Sequence, residues 1–343
     1  MADDKVRGAV IGCGFFAQNH LHAWNDIADV RLVAVCDKDA AKAKAAAETF
    51  RVPAWYDNAE EMFASQKLDF VDIATTMPTH RALVELAARH RVPTIVQKPF
   101  APTWDDCVAM VGACNAAGVP LMVHENFRFQ APLMAVRRVL EAGEIGTPYF
   151  GRVSFRTGYD IIAGQPYLAR EEKFIILDLG IHVLDMARVY FGEAETVYAQ
   201  TQQIRPNIVA EDMATMMLRH RSGATSIVDC SYSSQISPEP FPQTLVHIEG
   251  TRGSVQLHLG YRMSVLSDGV TREEMVDSPL LSWTSQPWHT AQESVLNTQR
   301  HWIECLRTGR APQTSGADNL RTYALVDAAY RSAAERRAVA PLA

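Results

Sequence analysis

The chain has 343 residues, 48% of them hydrophobic and 21% charged, the balance of a soluble globular protein long enough for two domains. That excludes a disordered or fibrous chain. Thirty-three basic against 39 acidic residues leave a net charge of −6, which disfavours a phosphate backbone as partner, so no nucleic acid is expected.

Arg7–Ile11 reads as a buried strand, Gly14 to Asp26 as a helix, Arg31–Cys36 as a second strand and Asp39–Phe50 as an Ala- and Lys-rich helix. Phe70–Ala74, Thr94–Val96 and Leu121–Val123 are further short β-branched runs. Thr79–His90 and Trp104–Ala117 between them are helical by period. Strands alternating with helices of this length predict βαβ units and a parallel sheet, here a first domain over 1–123. Pro132–Ala142 is a helix ended by Gly143. From Tyr149 the pattern alternates, with turns at Ser222-Gly223, Thr251-Arg252-Gly253 and Ser267-Asp268-Gly269, and this predicts an antiparallel sheet. From Asn297 the chain turns helical again. The second domain is placed at 124–343, with closing helices over 297–337.

Cys13, Cys36, Cys107, Cys114, Cys230 and Cys305 form no C-x-x-C pair. They read as small buried hydrophobes in a reducing compartment, with no metal site expected. The N-terminal segment has no basic region followed by an apolar run and a cleavage site. No stretch approaches the roughly 18 apolar residues of a membrane span. A cytoplasmic protein without a membrane partner is the expectation.

Gly12-Cys13-Gly14-Phe15-Phe16-Ala17 reads G-x-G-x-x-A between the first strand and the first helix. Gly12 permits the tight turn, Gly14 lets the backbone approach a pyrophosphate, and Ala17 lets helix and strand pack closely. The helix N-terminus then holds the phosphates. Asp37 ends the second strand, twenty residues after Ala17, where a carboxylate binds an adenosine ribose 2′-hydroxyl. A carboxylate there repels a 2′-phosphate, so NAD is favoured. Lys38 offsets part of that repulsion and leaves NADP as the second choice.

Gln97-Lys98-Pro99 ends the strand Thr94–Val96, and Pro99 disfavours helical backbone at Lys98. A lysine at the carboxyl end of a parallel strand lies where such sheets bind ligands. If Asp178–Asp185 is helical, Asp178, His182 and Asp185 at i, i+4 and i+7 share a face. His182 is then a candidate base near neutral pH. The run from Arg156 to Tyr167 is polar, aromatic and Gly-rich. It reads as a loop over the pocket, with Gln165 and Tyr167 as candidate partners of sugar hydroxyls. Trp283 and Trp288 form a second aromatic cluster suited to sugar stacking, an interface or core.

The fingerprint, the Lys-Pro pair and the D-x-G-x-H-x-x-D run together resemble the glucose–fructose oxidoreductase/inositol dehydrogenase/rhizopine catabolism (Gfo/Idh/MocA) family over essentially the whole chain. The resemblance implies an α/β protein: a Rossmann dinucleotide-binding domain plus a C-terminal α/β domain with a large, mainly antiparallel open sheet that commonly forms an oligomer interface. A homodimer or homotetramer follows from it. Lys98 would then hydrogen-bond the reacting hydroxyl, His182 take its proton, and Asp178 contact substrate and orient the site. The stretch Thr75–His80, with Thr75, Thr76, Pro78 and His80, would run past the cofactor. Phe15, Phe16, Gln97 and Lys98 join the cofactor contacts, and Asn126 faces the nicotinamide. Arg128 joins Lys98, Gln165, Asp178 and His182 as a substrate contact.

Gln97 stands where the family usually has Glu. The change removes a charge beside Lys98, which either suits a proton relay or marks a different polar substrate. The expected activity is NAD-dependent oxidation of a small sugar or polyol, an aldose giving its lactone. The stretches Arg7–Trp24, Gln97–Pro99, Glu125–Pro132, Gly164–Ala169 and Ile227–Tyr232 are most similar to a bacterial subgroup acting on a branched pentose. Two other readings keep the cofactor: a glycosidase with internal redox, and a non-catalytic dinucleotide-gated sensor.

Overall fold

A computed structural model describes residues 5–342. They form two compact units. The first runs to Asn126 and takes in Gln292–Leu320; the second comprises Phe127–Ala291 and the chain from Arg321.

In the first unit a six-stranded parallel sheet has the order β3-β2-β1-β4-β5-β6. The strands are β1 (Val6–Ile11), β2 (Val30–Cys36), β3 (Trp55–Tyr56), β4 (Phe70–Ile73), β5 (Thr94–Gln97) and β6 (Leu121–His124). Every residue of β4, β5 and β6 is buried, as parallel strands covered on both faces must be. The covering helices are α1 (Ala17–Asn25), α2 (Ala40–Phe50), α3 (Ala59–Ser65), α4 (His80–Arg89) and α5 (Trp104–Ala117). Local chemistry starts several of them. The Asp39 carboxylate accepts from Ala41 and Lys42 N–H at α2, and the Thr103 hydroxyl accepts from Asp106 N–H at α5. The strand order reverses between β1 and β4, so the carboxyl ends of these strands form the crevice where doubly wound sheets take ligands. The first helix starts at Ala17 rather than Gly14, because Gly12–Phe16 is spent on the loop. Two-residue β3 has no period to read, and it escaped the sequence together with α3.

The closing helices do not all belong to the second unit, as the sequence reading had them. α9 is His289–Thr308 and α10 is Gly316–Glu335, and the residues between Gln292 and Leu320 pack with the parallel sheet. Val123 N–H donates to the Thr314 carbonyl at 2.8 Å. The Thr314 hydroxyl donates to the Val123 carbonyl at 2.7 Å, and Gln299 Nε2 donates to the His20 carbonyl at 3.2 Å. An edge strand needs a cover, and this segment supplies it for β6.

The second unit is built on eight strands in the order β14-β13-β12-β11-β7-β10-β9-β8. These are β7 (Pro148–Arg156), β8 (Ala194–Gln202), β9 (Met213–His220), β10 (Thr225–Ser231), β11 (Leu245–Gly250), β12 (Gly253–Leu257), β13 (Arg262–Ser267) and β14 (Val270–Met275). Every neighbouring pair is antiparallel except β7 with β10. Asp268 and Gly269, at φ 48° and 82°, make the left-handed two-residue turn of the last hairpin. The helices α6 (Ala131–Glu141) and α8 (Ile181–Phe191) lie on this sheet, α6 against β12 and β13 and α8 against β7 and β10. A short α7 (Ile161–Gly164) sits in the connection between β7 and α8.

The β6 cover makes a prediction. A fragment ending at Asn126 should lack a cooperative thermal transition by circular dichroism, and fusing residues 292–320 to it should restore one. A cooperative transition in the unfused fragment would show that the cover is dispensable.

Candidate active site

Gly12 follows β1 with φ 103°, and a Cβ there would lie 2.6 Å from the Ala74 carbonyl oxygen. No other residue fits without moving the end of β4. A Cβ on Gly14 would meet nothing within 4 Å, so this backbone borders open space. No side chain caps the N-terminus of α1, which leaves its first-turn N–H groups to an anion. Asp37 Oδ2 accepts from Cys13 N–H at 2.8 Å, and Oδ1 accepts from Asp39 N–H at 2.9 Å. Asp37 therefore ties the glycine loop to β2. A carboxylate has about four acceptor positions, so capacity remains for ribose hydroxyls. The cradle, the uncapped helix and the carboxylate fit a dinucleotide.

After β4, the Thr79 hydroxyl donates to the Thr75 hydroxyl at 2.7 Å and to the Thr76 carbonyl at 2.9 Å. Pro78 lies in the 3₁₀ turn Met77–Thr79 that this fixes. His80 lies inside the unit. It is fully buried, with Nδ1 3.0 Å from the Phe100 carbonyl and Nε2 3.1 Å from the Thr75 carbonyl. Burial pushes its pKa down, against the pull of those carbonyls. Each ring nitrogen lies within reach of a main-chain carbonyl and a neutral imidazole donates to one of them, so His80 braces the loops after β4 and β5.

Gln97 lies inside the unit as well. Its side chain is buried, with Oε1 accepting from Lys98 N–H at 2.6 Å and Nε2 3.0 Å from His20 Nε2. It supports Lys98 from inside the unit. Asn126, also buried, donates from Nδ2 to the Ser294 hydroxyl at 2.7 Å. Phe15, within the glycine loop, stands 67% exposed.

In the second unit the segment before α8 is not a plain α-helix. Ile176–Gly180 forms a π-helical turn, and such single-turn insertions are frequent at functional sites. The half-buried Asp178 accepts from the Tyr232 hydroxyl at 3.2 Å. His182 stacks on Phe127, ring centroids 4.0 Å apart and planes 5° off parallel. Asp185 is fully buried elsewhere. The start of the segment is held by Glu211, whose Oε1 accepts from Phe174 N–H at 3.2 Å, from Ile176 N–H at 3.3 Å and from the Tyr330 hydroxyl at 2.7 Å. A carboxylate on the first N–H groups also complements the helix dipole.

Gln165 and Tyr167 join this neighbourhood. The Tyr167 hydroxyl donates to Gln165 Oε1 at 2.9 Å. Its pKa is pushed up to about 12 by burial and by the nearby Asp178 and Glu171 charges. Tyr232 is pushed further up by burial and Asp178, so it stays a hydroxyl donor. The sequence reading assigned no role to Tyr232 or Glu211. Each is one polar residue next to a strand, with no spacing signal to mark it.

Arg128 is buried and paired with Asp185 of α8. Its Nε donates to Asp185 Oδ2 at 2.5 Å and its Nη2 to Oδ1 at 2.7 Å. Asp185 Oδ1 also accepts from the Thr322 hydroxyl at 2.5 Å and from Arg188 Nη1 at 3.4 Å. Burial alone would raise the Asp185 pKa, but Arg128, Arg188 and Thr322 together hold it below the usual carboxylate range. Bidentate pairing fixes Arg128 as a bolt between the 3₁₀ turn Asn126–Phe129 and α8.

Residues 6–125 match the model of the oxidoreductase family with an NAD-binding Rossmann fold, and residues 133–256 match the GFO/IDH/MocA C-terminal domain. The chain belongs to the Gfo/Idh/MocA oxidoreductase family. It is 54% identical to the D-apiose dehydrogenase of Paraburkholderia graminis, over 98% of this chain and 89% of that protein. It is 52% identical to the D-apiose dehydrogenase of Rhizobium rhizogenes, over 98% and 97%. An oxidoreductase from Agrobacterium radiobacter, crystallised with NAD+, L-tartaric acid and magnesium, superposes with a TM-score of 0.97 at 52% identity, covering 98% of each chain. The family and the Rossmann fold expected from the fingerprint are thereby established, and the first unit is the NAD-binding one.

Two predictions follow from this geometry. Gly12→Ala should weaken NAD binding on the order of 100-fold in titration calorimetry, because the cradle must open to admit a methyl group. Arg128→Met should cost about 3–5 kcal/mol of stability in denaturant unfolding, since it leaves a buried carboxylate with half its partners. The depressed Asp185 pKa gives that contribution a sign in pH. It is complete above the unfolded-state value of about 3.9 and is lost as pH falls through the folded-state value. The stability difference between native protein and Asp185→Asn should therefore shrink on acidification below that point.

Proposed function

We propose that this enzyme oxidises D-apiose to its lactone with NAD. The observation that carries the reading is the identity above one half with two D-apiose dehydrogenases across nearly the whole chain. The residues are consistent with it. Asp178 is an acceptor held at one oxygen by Tyr232, and Gln165 and Tyr167 lie nearby with exposed polar edges. A polyhydroxy substrate needs such paired donors and acceptors.

In this reading Lys98 donates a hydrogen bond to the reacting hydroxyl and favours its ionised form. His182 accepts the hydroxyl proton, with its ring plane fixed by the stack on Phe127. Asp178 accepts from a neighbouring hydroxyl and sets the orientation of the sugar. NAD, when bound, supplies the hydride acceptor. The carbon–hydrogen bond breaks toward it, the oxygen–hydrogen bond breaks toward His182, and a carbonyl remains on the sugar. Gln97 and His80 act behind Lys98 as supports.

We further assign the enzyme to a reducing cytoplasm. All six cysteines are free and buried, and among the described residues no helix is long and apolar enough to cross a membrane. The open sheet of the second unit is assigned to a homodimer or homotetramer. Tyr149 on β7, Met217 on β9, and Val270 and Met275 on β14 are large apolar residues left exposed there.

The deciding assay follows NADH absorbance with NAD and a panel of free sugars and polyols. D-apiose should give the highest kcat/KM of the panel. Lys98→Met and His182→Ala should each lower kcat/KM on the order of 10²–10⁴-fold while NAD binding persists. Intact turnover in both variants would remove the two residues from the chemistry. NAD binding without NADH formation on any sugar would favour an internal-redox enzyme or a sensor.

A further inference from the structure

The structure shows what the amide at position 97 does. Because Gln97 Oε1 accepts from Lys98 N–H at 2.6 Å, the other end of the amide is the nitrogen that meets His20 Nε2 at 3.0 Å. An amide nitrogen has only hydrogens to give. His20 Nε2 therefore accepts, and the ring hydrogen sits on Nδ1. Nδ1 lies 2.8 Å from Asp72 Oδ2, which also accepts from Trp24 Nε1 at 2.7 Å. His20 and Asp72 are fully buried and Gln97 nearly so. Donation runs one way, from the Lys98 peptide through Gln97 and His20, and ends on a carboxylate.

We propose that Gln97, His20 and Asp72 are positioning residues for Lys98, and that glutamine at 97 fixes His20 as the Nδ1–H tautomer. The inference rests on the role given to Lys98 above. An ionised glutamate at 97 has no hydrogen to give, so His20 Nε2 would face an acceptor and take up a second proton. In the native chain a proton on Nε2 would force the amide to turn. Its NH₂ would then oppose the Lys98 N–H, donor against donor, in a buried place where an unmet donor is expensive.

The groups facing the imidazole are Asp72 of β4, Gln97 of β5, His124 of β6 with ring centroids 4.3 Å apart, Trp24 of α1, and Phe16 just before α1 with centroids 5.6 Å apart. Gln299 of α9 meets the His20 carbonyl. Asp72 is the one carboxylate in that set, and it lies on the Nδ1 side. The arrangement answers the question the sequence left open: the lost charge at 97 goes with a single-hydrogen His20 behind Lys98.

The test is nitrogen NMR of ring-labelled histidine in the full-length protein saturated with NAD, with the His20 signal identified by its loss in His20→Gln. Native protein should show His20 with hydrogen on Nδ1 and a bare Nε2, and Gln97→Glu should show both nitrogens protonated. Gln97→Leu, which removes both bonds, should lower kcat and kcat/KM together on the order of 10- to 100-fold with NAD affinity retained. Hydrogen on Nε2 in the native protein, or an unprotonated Nε2 in Gln97→Glu, overturns the tautomer assignment. Unchanged kcat in Gln97→Leu overturns the positioning role. If Gln97→Leu does not fold, the two spectra decide. Full turnover in Lys98→Met would instead remove the reading of Lys98, with the His20 spectra left standing.

Discussion

At the carboxyl edge of a parallel sheet each strand ends in peptide groups that no neighbouring strand pairs. Where that edge is also the ligand crevice, these groups sit close to cover and away from bulk water, and each unmet one is costly. The first unit meets this constraint with side chains. Asp37 takes the Cys13 N–H after β1, Gln97 takes the Lys98 N–H after β5, and His80 engages the Thr75 and Phe100 carbonyls. Three loops from three strands are thus fixed by three polar residues that were first suspected of touching the cofactor. Asp37 alone lies where it can do both, because a carboxylate has more acceptor positions than its two backbone bonds occupy.

The second unit solves a related problem by a different route. The segment that carries Asp178 departs from α-geometry over Ile176–Gly180, so its hydrogen-bond ladder is irregular where the site needs a fixed carboxylate. Glu211 and Tyr330 supply the missing partners. Glu211 accepts from the N–H groups of Phe174 and Ile176, and the Tyr330 hydroxyl accepts from Leu177 N–H at 3.3 Å. One turn further, Arg128 and Arg188 neutralise Asp185 inside the core. That pair of arginines offers little net stability over an apolar cluster of the same shape. What it supplies is orientation, because a bidentate guanidinium fixes the Asn126–Phe129 turn against α8. Phe127 in that turn then stacks on His182 in that helix.

The sequence was legible where a signal repeats. Strand–helix alternation and the G-x-G-x-x-A turn gave the parallel sheet. Asp268-Gly269 and its fellow turn pairs gave the hairpins, and the Lys-Pro pair and the D-x-G-x-H-x-x-D run together pointed to the family. It was illegible where one residue acts alone over a long separation. Thr314 reaches Val123 across 191 positions and Tyr330 reaches Glu211 across 119, and neither leaves a period behind. The π-turn over Ile176–Gly180 was illegible too, because the i, i+4, i+7 spacing of Asp178–Asp185 carries no mark of it. The burial of Arg128, His80 and Gln97 was illegible as well, because a motif marks a polar residue and only the fold shows which carbonyl, N–H or carboxylate it meets.

Burial also divides the supporting residues of each unit. Lys98 is held by residues that solvent does not reach, so its backbone position is set by the fold and is indifferent to which sugar arrives. Around Asp178 the support is of two kinds. Tyr232 is buried and fixed, whereas Tyr167 and Gln165 sit on a short loop next to Pro166 with about half of the Tyr167 side chain in solvent. A substitution on that loop leaves no buried group unmet, and so it is tolerated more readily than one behind Lys98. A change at His20, Gln97 or Asp72 disturbs the whole buried run of hydrogen bonds that starts at the Lys98 peptide.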